Sequence, residues 1–157
     1  MNILRTRLSA AAAIGAMLIL FSGYGLASEK SLKMKDLPKA VQKTVQEQTA
    51  GATLRGLSKE TEKGKTFYEA ETTVNGRTRD LLIDSKGVVV EVEEEVAMDS
   101  IPAVVKTEIQ SHSDKVIKVE TVTKGGTLAF YEAQVQKNGK KSEIQVSPEG
   151  KLITRPK

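Results

Sequence analysis

Apolar positions recur along this chain with two periods, and each period appears twice. Leu37, Val41 and Val45 are spaced by four, which places them on one helical face, while Lys39, Lys43 and Glu47 take the polar side. Ile101, Val104 or Val105, and Ile109 give the same stripe further on. Asp36 and Ser100 stand where helix caps belong, with Pro38 and Pro102 in the first turn, where a missing N–H costs nothing. The first helix is expected to end near Gly51 and the second at Ser111-His112-Ser113-Asp114. Behind each helix the period drops to two. First strands are expected over about 53–61 and 115–123, closed by turns at Gly64 and Gly125-Gly126.

The next two strands of each half are the most constrained. Asn75-Gly76 and Asn138-Gly139 are strong hairpin signals, because both turn residues need positive φ. A two-residue loop at Asn75-Gly76 sets Val74 against Arg77, Thr72 against Arg79, Ala70 against Leu81 and Tyr68 against Ile83. Side chains alternate across a sheet, so Tyr68, Ala70, Thr72, Val74, Leu81 and Ile83 share one face. In the second half the same rule opposes Val135 to Ser142, Ala133 to Ile144 and Tyr131 to Val146, and again yields an apolar face. A slip of one residue would mix polar and apolar side chains on both faces. Ala70 and Ala133 are small enough to let a helix approach closely. Fourth strands are expected at about 88–93 and 151–154.

These correspondences amount to an internal repeat. FYEAET at 67–72 is echoed by FYEAQV at 130–135, and Ser85-Lys86-Gly87 by Pro148-Glu149-Gly150, at an offset of 63 residues; Leu37-Pro38 is echoed by Ile101-Pro102 at 64. The expected fold class is α+β: two tandem repeats of one helix plus four antiparallel strands, forming one continuous antiparallel sheet with the helices on one face. The other face is available to solvent or a partner.

Composition trims this picture. Arg5 and Arg7, the apolar run from Leu8 to Phe21, and small residues before Ala27 form a signal-peptide pattern over 1–27. The run is shorter than the ~20 residues a membrane span needs. The expected organisation is therefore a signal peptide (1–27), a polar, loosely ordered leader (28–35), repeat one (36–97) and repeat two (98–157). The exported chain would be periplasmic or secreted, with no membrane span. Of 24 Lys and Arg, 22 remain after Arg5 and Arg7 are removed, against 20 Asp and Glu. That near-balance argues against a nucleic-acid binder, which needs a concentrated basic stripe. The absence of cysteine removes disulfides, thiolate catalysis and thiolate metal sites.

Candidate chemistry is sparse. The face away from the helices carries Phe67, Glu69, Glu71 and Asp80 in one half, and Phe130, Glu132, Gln134 and Glu143 in the other. Phe67, Glu69, Phe130 and Glu132 recur at matching places and are the candidate partner-binding residues, against the simpler reading that each Phe tucks under a loop. Glu71 opposite Asp80 is a like-charge pair that neighbouring lysines must offset. Glu91, Glu93, Glu94 and Glu95 read as charges on an outer or edge strand that prevent edge-to-edge pairing, or as an attractor of cations. Lys137, Lys140, Lys141, Lys151 and Lys157 read as solubility charges. His112 is the only histidine and has no identifiable base partner or metal-ligand pattern around it. No nucleophile elbow, zinc-protease helix or phosphate-binding glycine loop is present. No catalytic residue, cofactor or metal site is assigned, and the chain is read as a non-enzyme.

A Leu/Ile-Pro helix start, Tyr68-Glu69-Ala70, Asn75-Gly76 and Asp84-Ser85-Lys86-Gly87, with their second-half counterparts, resemble the PepSY and PepSY-like repeat, also described as beta-lactamase-inhibitor-like. The resemblance covers nearly all of 36–154. It implies a curved sheet with the helices on its convex side. It also implies an exported binding or inhibitory module, with a peptidase or other envelope protein as partner and no catalytic residues carried over. The inhibitor relatives present loops and a concave sheet to a partner enzyme; this chain lacks their cysteines. The alternative is a small-ligand or cation sensor using the acidic positions. A third reading, a steroid-isomerase-like enzyme, requires a deep apolar pocket around one buried carboxylate.

Overall fold

The computed structural model describes residues 31–153. The expected signal peptide lies outside the described residues. Two short 3-10 turns aside, the element order is α1 (Lys39–Gln48), β1 (Thr53–Glu62), β2 (Lys65–Val74), β3 (Arg77–Asp84), β4 (Val89–Glu95), α2 (Ala103–Ser111), β5 (Lys115–Lys124), β6 (Thr127–Lys137) and β7 (Lys140–Val146). All seven strands form one antiparallel sheet in sequence order, so β4 lies at its centre and joins the two halves through β5.

The hairpin registers follow from the Asn-Gly turns. Asn75 and Asn138 both adopt φ 51. Val74 pairs with Arg77, Ala70 with Leu81 and Tyr68 with Ile83; across the second hairpin Val135 pairs with Ser142, Ala133 with Ile144 and Tyr131 with Val146. The face so defined buries each helix. Leu37, Val41 and Val45 pack with Leu57, Tyr68, Ala70, Leu81 and Ile83. Ile101, Val105 and Ile109 pack with Val119, Tyr131, Ala133, Val135 and Val146. Val105 rather than Val104 faces the sheet; Val104 is exposed.

Three expectations are corrected. The α-helices begin after Pro38 and Pro102, which occupy the cap positions themselves. Asp36 and Ser100 do not cap them, because both are used one turn earlier: the Asp36 carboxylate accepts from the Lys33 N–H at 3.0 Å, and the Ser100 hydroxyl donates to the Ala97 carbonyl at 2.7 Å. The described part of the leader is tied down. The Leu32 N–H donates to the Leu57 carbonyl at 2.9 Å, and Leu32 and Met34 pack on the first core. Among the described residues the second half carries three strands rather than four. Beyond β7 the described residues fold back through an isolated bridge between Val146 and Leu152 and an Ile153 N–H that donates to the Gln145 carbonyl at 2.8 Å, without forming a further strand. β4 has two neighbours to pair with; the corresponding 151–153 segment sits past the last strand, with β7 alone beside it.

The face away from the helices is not a solvated surface. Phe67, Glu69, Glu91, Phe130, Glu132 and Gln145 are all buried there. β4 and β6, with β5 between them, would stand ~9.6 Å apart in a flat sheet, yet carboxylate oxygens of Glu93 and Glu132 come within 4.8 Å. The side chains of this face lean on one another across β5, and their burial on a face that no described helix covers is the mark of a sheet curled toward it.

Candidate functional site

The concave floor is built by parity. Each strand alternates, and the positions left over from the helix-facing set are mostly acidic. Ser58 faces Glu69, which faces Leu82, which faces Glu91 across successive strands. Glu95 faces Glu120, which faces Glu132, which faces Gln145.

The four sequence-derived candidates lie on this floor as parity requires. Phe67 is 4% exposed, Glu69 6%, Phe130 6% and Glu132 5%, so none is a solvent-facing contact. Phe67 packs with Leu82 and Val90. Phe130 lies across from Val122, with the Lys124 ammonium 5.4 Å from its ring. Glu69 accepts a hydrogen bond from the Ser58 hydroxyl at 3.1 Å. Glu132 accepts one from the Gln145 amide N–H at 2.7 Å.

The like-charge pair Glu71 and Asp80 does face across β2 and β3, but lysines do not offset it. A bulge between Leu54 and Gly56 leaves Arg55 without a partner residue on β2. Its guanidinium reaches Asp80 at 2.9 Å and Glu71 at 3.5 Å, and donates to the Thr72 carbonyl at 3.2 Å. The second half has a bulge in the same place, between Val116 and Lys118, with Ile117 in it. There the facing pair is Gln134 and Glu143. Where the arginine is missing, so is one of the two charges.

Glu91, Glu93 and Glu95 read in the sequence as edge-strand charges or as an attractor of cations; their partners on β5 and β6 are not legible there. They instead occupy the central strand and point into the concavity. Glu91 is held by Lys124 at 2.9 Å. Glu120 is held by Lys118 at 2.7 Å and receives the Thr78 hydroxyl at 3.1 Å. Oxygens of Glu93, Glu120 and Glu132 lie within 4.8 Å of one another. Burial pushes the Glu93 carboxyl up to about 9, reinforced by the charges of Glu132, Glu91, Glu120 and Glu69. Burial also raises Glu132 to about 7, against the Gln145 hydrogen bond and with Glu143 adding to the rise. Glu91 is raised by burial, opposed by Lys124. The signal that could have exposed this group was the pairing of β4 with β5, which Asn-Gly turns do not fix.

The void lined by Glu69, Asp80, Leu82, Glu91 and Glu93 holds about 10 Å³, room for about one water. A shallow hollow of about 460 Å³ lies at the other end of β3, bordered by Asn75, Arg77, Thr78 and Glu94. His112 closes α2 with Nε2 3.1 Å from Glu108 Oε1, an i,i+4 pair away from the acidic floor.

No family model matches the sequence, and no curated protein does. Solved structures do match the fold. A Bacteroides eggerthii protein described as periplasmic superposes with a TM-score of 0.60 at 21% identity, over 75% of this chain and 86% of that one. A DUF2874 family protein from Bacteroides ovatus gives 0.58 at 22%, over 75% and 85%. A BLIP-like protein from Bacteroides fragilis gives 0.53 at 20%, over 75% and 84%. The fold is beta-lactamase-inhibitor-like. At these identities the likeness is one of fold alone. Among the described residues no helix is long and apolar enough to cross a membrane.

Proposed function

We propose that this chain is an exported, non-enzymatic binding module, a PepSY-like tandem repeat that receives a peptidase or another envelope enzyme in the concavity of its sheet. The observation that carries this reading is the clustering of carboxyl groups on the floor. Glu69, Glu91, Glu93, Glu120 and Glu132 share one face, where Lys124 pairs with Glu91 and Lys118 with Glu120. A basic loop or strand of a partner protein complements such a surface, and electrostatic complementarity of this kind governs encounter and partner choice. Phe67, Glu69, Phe130 and Glu132 form the floor; Gln134, exposed on β6, belongs to the rim a partner meets first.

The test is capture from the native envelope fraction by the wild-type protein, by Gln134→Lys, and by the floor double variant Phe67→Ala/Phe130→Ala. Gln134→Lys breaks no ion pair and places a positive charge on the rim, so capture of a basic partner should drop at least tenfold. Unchanged capture by both folded variants would remove the assignment to this face.

A further inference from the structure

We propose that Glu93, Glu120 and Glu132, completed by the side-chain carbonyl of Gln145, form a binding site for one hard divalent cation, calcium or magnesium. The site does not depend on the partner reading above.

The geometry comes first. The three carboxylates project from β4, β5 and β6, the middle of the sheet, and offer one oxygen each within 4.8 Å of the others. Calcium binds oxygens at ~2.3–2.6 Å, so two oxygens on one ion stand at most ~5 Å apart. These side chains meet that limit without any movement of the backbone. All the donors are oxygens, which selects hard cations over zinc or copper.

The second observation is independent of the acidic cluster. Gln145 is 2% exposed, and its Nε2 donates to Glu132 at 2.7 Å. That bond fixes the amide beside Glu132, one of the three carboxylates. The carbonyl oxygen at the same end of the side chain is buried without a hydrogen-bond partner. A buried amide oxygen left unmatched is unfavourable by ~1–3 kcal/mol, and a cation among the carboxylates would satisfy it.

The first half of the sheet shows that packing does not require this arrangement. Glu69, matching Glu132, faces Ser58 where Glu132 faces Glu120, and Leu82 where Glu132 faces Gln145. There Glu69 receives the Ser58 hydroxyl at 3.1 Å, and a leucine stands where the second half has Gln145. The second half replaces that serine, carboxylate and leucine with two facing carboxylates and an amide. The central strand adds Glu93. Lys118, 2.7 Å from Glu120, offsets one of the three charges; Lys124 is engaged by Glu91.

The test is isothermal titration calorimetry and thermal unfolding of the chelator-treated, desalted protein with CaCl2, MgCl2 and, as a soft-metal control, ZnCl2. The expected result is one saturable calcium or magnesium site per chain, with a matching rise in Tm. Glu132→Gln and Glu93→Gln, close in shape and lower in charge, should weaken it at least tenfold. Gln145→Leu, which installs the first-half residue, should weaken it several-fold, and Glu47→Gln, on the exposed side of α1, should leave it unchanged. No saturable binding at millimolar calcium or magnesium would overturn the proposal. So would equal affinity in wild type and folded Glu132→Gln, or a preference for zinc. Envelope capture that fails while cation binding succeeds removes only the partner reading.

Discussion

Gly87 and Gly150 explain at single-residue scale why the Ser85-Lys86-Gly87 and Pro148-Glu149-Gly150 turns end alike. Both have positive φ, 86 and 80. Both also lie against a helix: a Cβ on Gly87 would sit 2.8 Å from the Ala40 carbonyl oxygen, and one on Gly150 2.9 Å from the Val104 side chain and carbonyl oxygen. The Thr44 hydroxyl seals the first contact by donating to the Gly87 carbonyl at 2.6 Å. Gly87→Ala should therefore cost more than the ~1–2 kcal/mol of left-handed strain alone. Gly76→Ala has φ 81 but open space around it, and should show the strain alone. Urea midpoints of the two variants give the comparison; equal losses would mean that the helix contact contributes nothing. Arg55 offers a second residue-scale prediction. Its removal leaves Glu71 and Asp80 facing each other, at about 1 kcal/mol for a partly exposed cluster. Glu71→Gln, the solution adopted by Gln134 in the second half, should recover most of that loss in an Arg55→Ala background. A double-mutant cycle measures the coupling, and additive losses would refute it.

Elements differ in how far the sequence reveals them, and the difference has a physical origin. Both hairpins were legible because a turn with two positive-φ residues admits one register. Both helices were legible because Leu37, Val41 and Val45, and Ile101, Val105 and Ile109, carry a stripe that only a helix can bury together. Their starts were misread because Asp36 and Ser100 satisfy a local 3-10 turn in preference to the helix that follows. The central place of β4 was not legible, since nothing local joins it to β5: Glu93 meets Val122 only through long-range pairing. The convergence of Glu93 with Glu120 and Glu132 went unread for the same reason. The helix stripes carry their own prediction. Ile109 is fully buried, and Ile109→Ala should destabilise by about 2–5 kcal/mol. Because α2 lies over β5 and β7, amide exchange should accelerate there more than in α1. Uniform acceleration would mean that the halves open as one unit.

At the scale of the whole molecule, the sheet has one face that rewards folding and one that charges interest on it through pH. Glu93, Glu132 and Glu91 all have raised pKa values in the folded protein. They face Glu69 on β2, Asp80 on β3, Glu120 on β5 and Glu143 on β7, with Lys118 and Lys124 as the nearby cations. A carboxyl raised on folding binds more protons native than unfolded, so stability falls as pH rises across the interval between the two values. For Glu93 that interval runs from 4.5 to about 9, and for Glu132 from 4.5 to about 7. Asp99 and Glu149 act oppositely: hydrogen bonds from Lys106 and Ser147 lower them, so their contribution is lost as pH falls through the acid range. Chelator-treated protein should thus be most stable near pH 5 and unfold at progressively lower urea concentration at pH 7 and pH 9. Glu93→Gln should flatten the alkaline part of that decline, because its neutral amide carries no charge for burial to oppose. A wild-type midpoint that holds steady or rises between pH 5 and pH 9 would show that the concave carboxylates are solvated well enough to ionise freely, and the floor would then be an open, wet surface.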